Sequence, residues 1–75
     1  MEEKSRYTLK ELLNNLPISI AELARRSNVN EVTIARIRDG KSVALRSTAN
    51  KMLRVFSEVY GKTLTLENVD FPVKG

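Results

Sequence analysis

Few side chains in this sequence could perform covalent chemistry. The 75 residues include neither cysteine nor histidine, which excludes disulfides, zinc fingers, a thiol nucleophile and an imidazole base. No short D-x-D or D-x-N cluster occurs, and we predict no metal site, no cofactor and no catalytic residue. The chemistry that remains available is hydrogen bonding and electrostatic attraction. The chain has 13 Lys and Arg residues in total and a formal net charge of +4. A basic surface suits a polyanionic partner.

Repeated capping patterns mark the starts of the helices that must position these groups. Thr8 precedes Glu11 by three residues, Ser19 precedes Glu22 by three, and an apolar pair brackets each first turn. Both patterns predict a capping box, in which the hydroxyl accepts from a free N–H and the glutamate reaches back. Asn30 is a good N-cap for a third helix, with acidic residue 31 in its first turn.

Stop signals separate these helices. Pro17 disfavours helical geometry at Leu16, so the first helix should end there. Asn28 tolerates the left-handed conformation and suits the break between the second and third helices. Gly40 and Gly61 fit the position just past the third and fourth helices.

Apolar residues recur at helical spacing on four segments, and each set covers one helix face. Because these faces must be covered, we predict an all-α fold, a compact bundle of four to five short helices. The second helix is expected at about residues 20–27 and the third at about 31–38. The alternating residues 63–66 suggest a short strand, but we prefer a single helical turn near 66–69.

The domain organisation is expected to be simple. We predict a flexible N-terminal arm at residues 1–6, one folded domain at 7–70 and an extended C-terminal tail at 71–75. The first residues are too polar for a signal peptide, and no apolar run approaches a membrane span. We therefore expect a cytoplasmic protein without membrane contact.

The stretch from Ile20 to Asp39, IAELARRSNVNEVTIARIRD, combines a helix, a three-residue break and a second helix. It resembles the lambda-repressor-like (Cro/repressor, XRE-type) helix-turn-helix family of DNA-binding proteins. Two features depart from the family pattern. Asn28 stands where glycine is usual, and the stretch after Gly40 is a few residues longer. The matching residues are Leu23, Ala24, Val29, Ile34, Ile37 and the sequence Asp39-Gly40-Lys41.

The resemblance implies that the N-terminal part of the third helix enters the major groove of DNA, with positions 31, 32 and 36 touching bases. Arg36 can donate two hydrogen bonds to guanine, and Val32 can meet a thymine methyl group. Glu31 can accept from cytosine N4, and Ala35 is small enough for close approach. These four residues are the predicted base contacts.

Three of these four base contacts have a simpler alternative. In this alternative, Val32 is an ordinary exposed valine that contacts no base, and Glu31 only complements the helix dipole. Arg36 could instead pair with Glu31 or Asp39 on the surface. The same type of alternative, a solvated charged face, is preferred for Arg25.

A second group of residues is predicted to contact phosphates, which positions a protein on DNA without reading its sequence. Ser19 and Asn30 lie at helix starts, where free N–H groups favour anions. The residues after the third helix occupy positions where the family often touches the DNA backbone. The predicted phosphate contacts are Ser19, Asn30, Arg38, Lys41, Ser42 and Arg46.

The expected function is sequence-specific binding of double-stranded DNA by a nucleoid-associated transcriptional regulator, with repression the expected mode. Regulators of this kind usually bind as symmetric homodimers, with half-sites about 34 Å apart. Residues near the C-terminus could form the dimer contact or simply cover the core, and both interpretations are open. They are Tyr60, Leu64, Leu66, Val69 and Phe71.

Two alternative functions are open. An antitoxin-type regulator would bind DNA and also a toxin protein, whereas a helical protein-interaction module would not bind DNA. We do not expect an enzyme, because no nucleophile and base are paired and so small a bundle has little room for a deep pocket.

Overall fold

The computed structural model describes residues 6–74 and is mostly helical. Its helices are α1 (Leu9–Asn14), α2 (Ile20–Ser27), α3 (Glu31–Arg38) and α4 (Arg46–Tyr60). Its strands, of two residues each, are β1 (Tyr7–Thr8), β2 (Ala44–Leu45), β3 (Val69–Asp70) and β4 (Val73–Lys74). The fold is therefore not all-α, which corrects that prediction. No fifth helix occurs among the described residues.

The strands form two parallel pairs that join distant parts of the chain. Tyr7 lies opposite Val69 in the pair of β1 and β3, and Ala44 lies opposite Val73 in the pair of β2 and β4. Two-residue strands carry no detectable alternation, and their partners are distant in sequence. The sequence pattern therefore could not predict them.

Side-chain contacts extend to the two ends of the described residues. Arg6, assigned to the flexible arm, donates from Nε to Asp70 at 2.9 Å, while residues 1–5 lie outside the described part. In the segment predicted to be an extended tail, Phe71 is buried in the core and Val73–Lys74 form β4, while residue 75 lies outside the described residues. A single turn occupies 66–68, and residues 63–65 do not form a strand.

The helix starts follow the predicted caps, with one exception. At α1 the Thr8 Oγ1 accepts from the Glu11 N–H, and the Thr8 N–H donates to Glu11 Oε1, which completes the capping box. At α2 the Ser19 hydroxyl accepts from the Glu22 N–H at 3.0 Å. The Glu22 carboxylate accepts from Arg25 and Arg26 instead, so only half of that predicted capping box forms.

The helix ends can be compared with the stop signals predicted from the sequence. Asn28 is left-handed (φ 60°), as are Gly40 (φ 75°) and Gly61 (φ 67°), so these three predictions are confirmed. Helix α1 ends at Asn14, two residues before the predicted end at Leu16.

One apolar core holds the elements together. Helix α2 contributes Leu23, α3 contributes Ile34, and α4 contributes Met52 and Phe56, all of them completely buried. Val69 of β3 is 1% exposed and belongs to the same cluster. The helices and the C-terminal strands therefore form a single packing unit, which fixes the orientation of α3.

Candidate nucleic-acid interface

Helix α3 has one buried side and one solvent-facing side. Ile34 and Ile37 are 0% and 3% exposed and belong to the core cluster. Val32, in contrast, is 66% exposed, although valine is usually found inside proteins. Glu31 and Arg36 are exposed as well, and Ala35 is partly buried. The four predicted base contacts therefore remain accessible outside the core.

The start of α3 is held in a defined geometry. The left-handed Asn28 turns the chain between the helices, and Val29 after it is buried. Asn30 Oδ1 then accepts from the Val32 N–H at 2.8 Å. This cap leaves the Asn30 side-chain amide free to donate, for example to a phosphate. Ser19 is in the same situation at α2, because its oxygen accepts the cap bond while its hydroxyl proton remains available.

The end of α3 brings two predicted contact residues together. Arg36 Nε donates to Ser42 Oγ at 3.1 Å. The turn between them has the two hydrogen bonds of a Schellman motif: Gly40 N–H to Ile37 O at 3.1 Å and Lys41 N–H to Arg36 O at 2.8 Å. The sequence predicts a base contact for Arg36 and a phosphate contact for Ser42, but it does not predict that the two side chains contact each other.

Three cationic side chains are among the predicted phosphate contacts, and within residues 6–74 one of them forms an ion pair while the other two do not. Arg38 Nε donates to Asp39 at 3.0 Å, and this hydrogen bond raises the pKa of Arg38 and lowers the pKa of Asp39. The pair is exposed, so a phosphate could displace Asp39 at small cost. Within residues 6–74, Lys41 and Arg46 are exposed and have no ion-pair partner.

One predicted phosphate contact, Arg46, lies beside the C-terminal segment. Arg46 begins α4 and lines a shallow surface depression of about 490 Å³ together with Arg6 and Asp70. This depression is built from the C-terminal segment, on the side of the chain where β3 and β4 lie. The structure thus associates Arg46 with the C-terminal strands and associates Ser42 with α3.

Three further residues near the site are exposed, and none of them is among the predicted contacts. Thr33 is exposed on α3, and it precedes Arg36 by three residues, a spacing that could have placed it on the same side of the helix. Val43 and Leu45 are 53% and 58% exposed on either side of the buried Ala44. Their alternation around one buried residue is too short a pattern to indicate a strand.

The proposed dimer residues mostly cover the core. Leu64, Val69 and Phe71 are 3%, 1% and 7% exposed, so little of their surface is left for a partner. Tyr60 is partly buried, and its hydroxyl donates to the Leu12 carbonyl. Leu66 is also partly buried against the core. In the monomer these residues therefore mainly cover the core, which is one of the two interpretations given above for them.

Comparison with known proteins identifies no relative. No protein-family model, no curated protein and no solved structure matches this chain. In the described part of the chain, no helix is both long enough and apolar enough to cross a membrane. Residues 6–74 also contain no cluster of three acidic side chains that could hold a metal ion.

Proposed function

We propose that this chain binds double-stranded DNA sequence-specifically by inserting α3 into the major groove, and that it regulates transcription. One observation carries the proposal. Helix α3 buries Ile34 and Ile37 while it leaves Val32 and Arg36 exposed on an eight-residue helix. A short helix anchored on one side and exposed on the other has the form required for reading a groove about 12 Å wide.

The exposed residues supply complementary chemistry for base edges. The Arg36 guanidinium can donate to guanine O6 and N7, and Val32 offers an apolar contact to the thymine methyl group. Glu31 can accept from cytosine N4, and the small side chain of Ala35 permits close approach. Together these groups can discriminate among several base pairs.

The surrounding charges supply the attraction that does not depend on sequence. Lys41 and Arg46 are exposed and unpaired within residues 6–74, and the whole chain carries +4. Ser19 and Asn30 keep hydrogen-bond donors at the starts of α2 and α3, where the helix dipole also favours an anion. Arg38 and Ser42 complete the set of proposed phosphate contacts.

The wider interpretation rests on the resemblance to the lambda-repressor-like family. We propose a homodimeric repressor of the helix-turn-helix type that acts on a palindromic operator in the cytoplasm. The proposal does not include catalysis.

A protein partner is the second candidate function, as in an antitoxin or an interaction module. Val43 and Leu45 support it, because they expose two large apolar side chains to solvent, one just before β2 and one within it. Contiguous apolar surface on a small protein often marks an interaction site. A second polypeptide that co-purifies with the chain, and is lost on Leu45→Ser, would support this alternative.

Selection of random double-stranded oligonucleotides by the full chain tests DNA binding, followed by mobility shifts with the selected sequence. We expect an enriched palindrome whose affinity falls by orders of magnitude between about 50 and 200 mM salt. Arg36→Ala should relax preference at one base pair of each half-site, whereas Lys41→Ala should weaken all sequences alike.

Lys10→Ala provides the matched control for Lys41→Ala, because Lys10 is exposed on α1 and is not a proposed contact. Its affinity for DNA should remain close to that of the parent chain. Absence of any enriched sequence, or equal losses for the two lysine variants, would contradict the proposal.

A further inference from the structure

One arginine on the exposed side of α3 is held by a neighbouring hydroxyl. Arg36 Nε donates to Ser42 Oγ at 3.1 Å, and no other hydrogen bond of the Arg36 side chain occurs within residues 6–74. A free arginine side chain samples many rotamers, and immobilising it on binding has an entropic cost. The contact with Ser42 restricts the guanidinium before any ligand arrives.

The chain also fixes the position of Ser42 from both sides. Before it, Gly40 takes the left-handed conformation, and the Lys41 N–H donates to the Arg36 carbonyl at 2.8 Å. After it, the Ala44 N–H donates to the Pro72 carbonyl at 2.8 Å. Ser42 itself is partly buried. Backbone hydrogen bonds thus fix the chain before and after Ser42. A hydroxyl on such a fixed segment can orient a flexible side chain.

We propose that Ser42 is a positioning residue that determines base specificity through Arg36. The proposal rests on the DNA-binding function proposed above. With Nε used by Ser42, the guanidinium keeps the two terminal nitrogens, Nη1 and Nη2, for an acceptor pair. These two nitrogens match the O6 and N7 of guanine in an end-on, bidentate geometry. Ser42 thereby selects one of the two ways in which arginine can approach a guanine.

This role differs from the phosphate contact predicted for Ser42. A phosphate contact contributes to binding of every sequence, whereas an oriented Arg36 contributes only where guanine is present. The hydroxyl oxygen accepts from Arg36, so its proton can still donate to a phosphate. Sequence selectivity, rather than affinity alone, therefore separates the two roles.

The experiment compares Ser42→Ala with Ser42→Thr, which retains the hydroxyl, and with Ser47→Ala as a control. Ser47 is exposed in the first turn of α4, so its variant removes a hydroxyl elsewhere. Dissociation constants are measured for the selected operator and for operators that change one base pair at a time. For Ser42→Ala we expect the preference for guanine at the Arg36 position to fall about threefold to tenfold, the range for loss of one preorganised side chain.

The other positions should keep their preferences in Ser42→Ala, and both Ser42→Thr and Ser47→Ala should resemble the parent. Adding Ser42→Ala to Arg36→Ala should cause no further loss of selectivity, because the residue acts through Arg36. Equal weakening of all operators by Ser42→Ala would identify a phosphate contact only and overturn the proposal.

A second measurement needs no DNA. In nitrogen-15 NMR spectra, the Arg36 Nε–H should exchange with water faster in Ser42→Ala than in the parent or in Ser47→Ala. Unchanged exchange would overturn the positioning role even if DNA binding is established. Failure of the parent chain to select any sequence would instead overturn the proposed function itself, and this proposal with it.

Discussion

Ala44 and Val73 are register partners in the parallel pair of β2 and β4. The C-terminal strand thereby holds the segment that follows α3, and the Ala44 N–H also donates to Pro72. Phe71, just before these residues, is buried in the core. The extended C-terminal segment therefore takes part in both the stability of the domain and the geometry of the candidate site.

Replacing Phe71 with alanine should destabilise the whole domain. We expect the free energy of unfolding to fall by about 3 kcal/mol, because the change removes a buried ring and leaves a cavity. Urea denaturation followed by circular dichroism measures the effect, and Phe71→Leu gives a milder variant if the alanine variant does not fold. Lys74→Ala, exposed on β4, should change stability by less than about 0.5 kcal/mol. Similar small effects from both positions would show that the segment does not belong to the core.

Gly40 and Gly61 offer a matched pair that separates stability from recognition. Both have positive φ, and a Cβ at either position would meet no atom within 4 Å, so alanine introduces conformational strain alone. Each alanine variant should lose about 1 kcal/mol in thermal or urea unfolding. Only Gly40→Ala should also reduce base selectivity, because only Gly40 shapes the turn from Arg36 to Ser42. Equal selectivity in the two variants would argue against that role of the turn.

Asn28 should tolerate glycine and resist β-branched residues. Its φ of 60° lies in the left-handed region, where asparagine is accepted but valine meets a steric penalty. We expect Asn28→Val to lower the free energy of unfolding by about 1–2 kcal/mol and Asn28→Gly to change it little. Asn50→Val is the control, since Asn50 is exposed inside α4. A loss at Asn50 as large as that at Asn28 would contradict a specific role of the left-handed turn.

Val32 should matter for DNA selectivity and hardly at all for folding. Because it is 66% exposed, Val32→Ser should change stability by less than about 0.5 kcal/mol. Loss of the methyl contact should reduce the preference for thymine at one position, measured by competition between operators. Val43→Ser removes a similarly exposed valine outside α3 and should leave that preference unchanged. If both variants lose the same preference, Val32 does not read a base.

Glu22 should make stability depend on pH in the acidic range. Hydrogen bonds from Arg26 and then Arg25 hold the pKa of Glu22 below its ordinary value of 4.5 in the folded chain. A carboxylate with a lowered folded-state pKa stabilises the protein above its unfolded pKa, and this contribution disappears as pH falls through the folded value.

The melting temperature of Glu22→Gln should therefore lie below that of the parent at neutral pH, and the two should converge as the pH falls below 4.5 and through the lowered folded-state pKa of Glu22. Glu58→Gln is the control, because Glu58 is exposed on α4 and has no ion pair within residues 6–74. A constant difference between Glu22→Gln and the parent across this range would contradict the linkage.

The sequence alone determined the local features of this protein. Thr8, Ser19 and Asn30 mark helix starts because a cap bond joins residues only two or three positions apart. Asn28 and Gly40 adopt the left-handed conformation for equally local, steric reasons. The buried sides of the helices followed from the spacing of residues such as Ile34 and Ile37.

Only the tertiary structure decided the contacts between distant segments. Arg6 with Asp70 and Ala44 with Val73 join parts of the chain that no periodicity relates, because these pairs form only when the common core brings them together. The contact of Arg36 with Ser42 depends in the same way on a loop that the C-terminal strand holds in place.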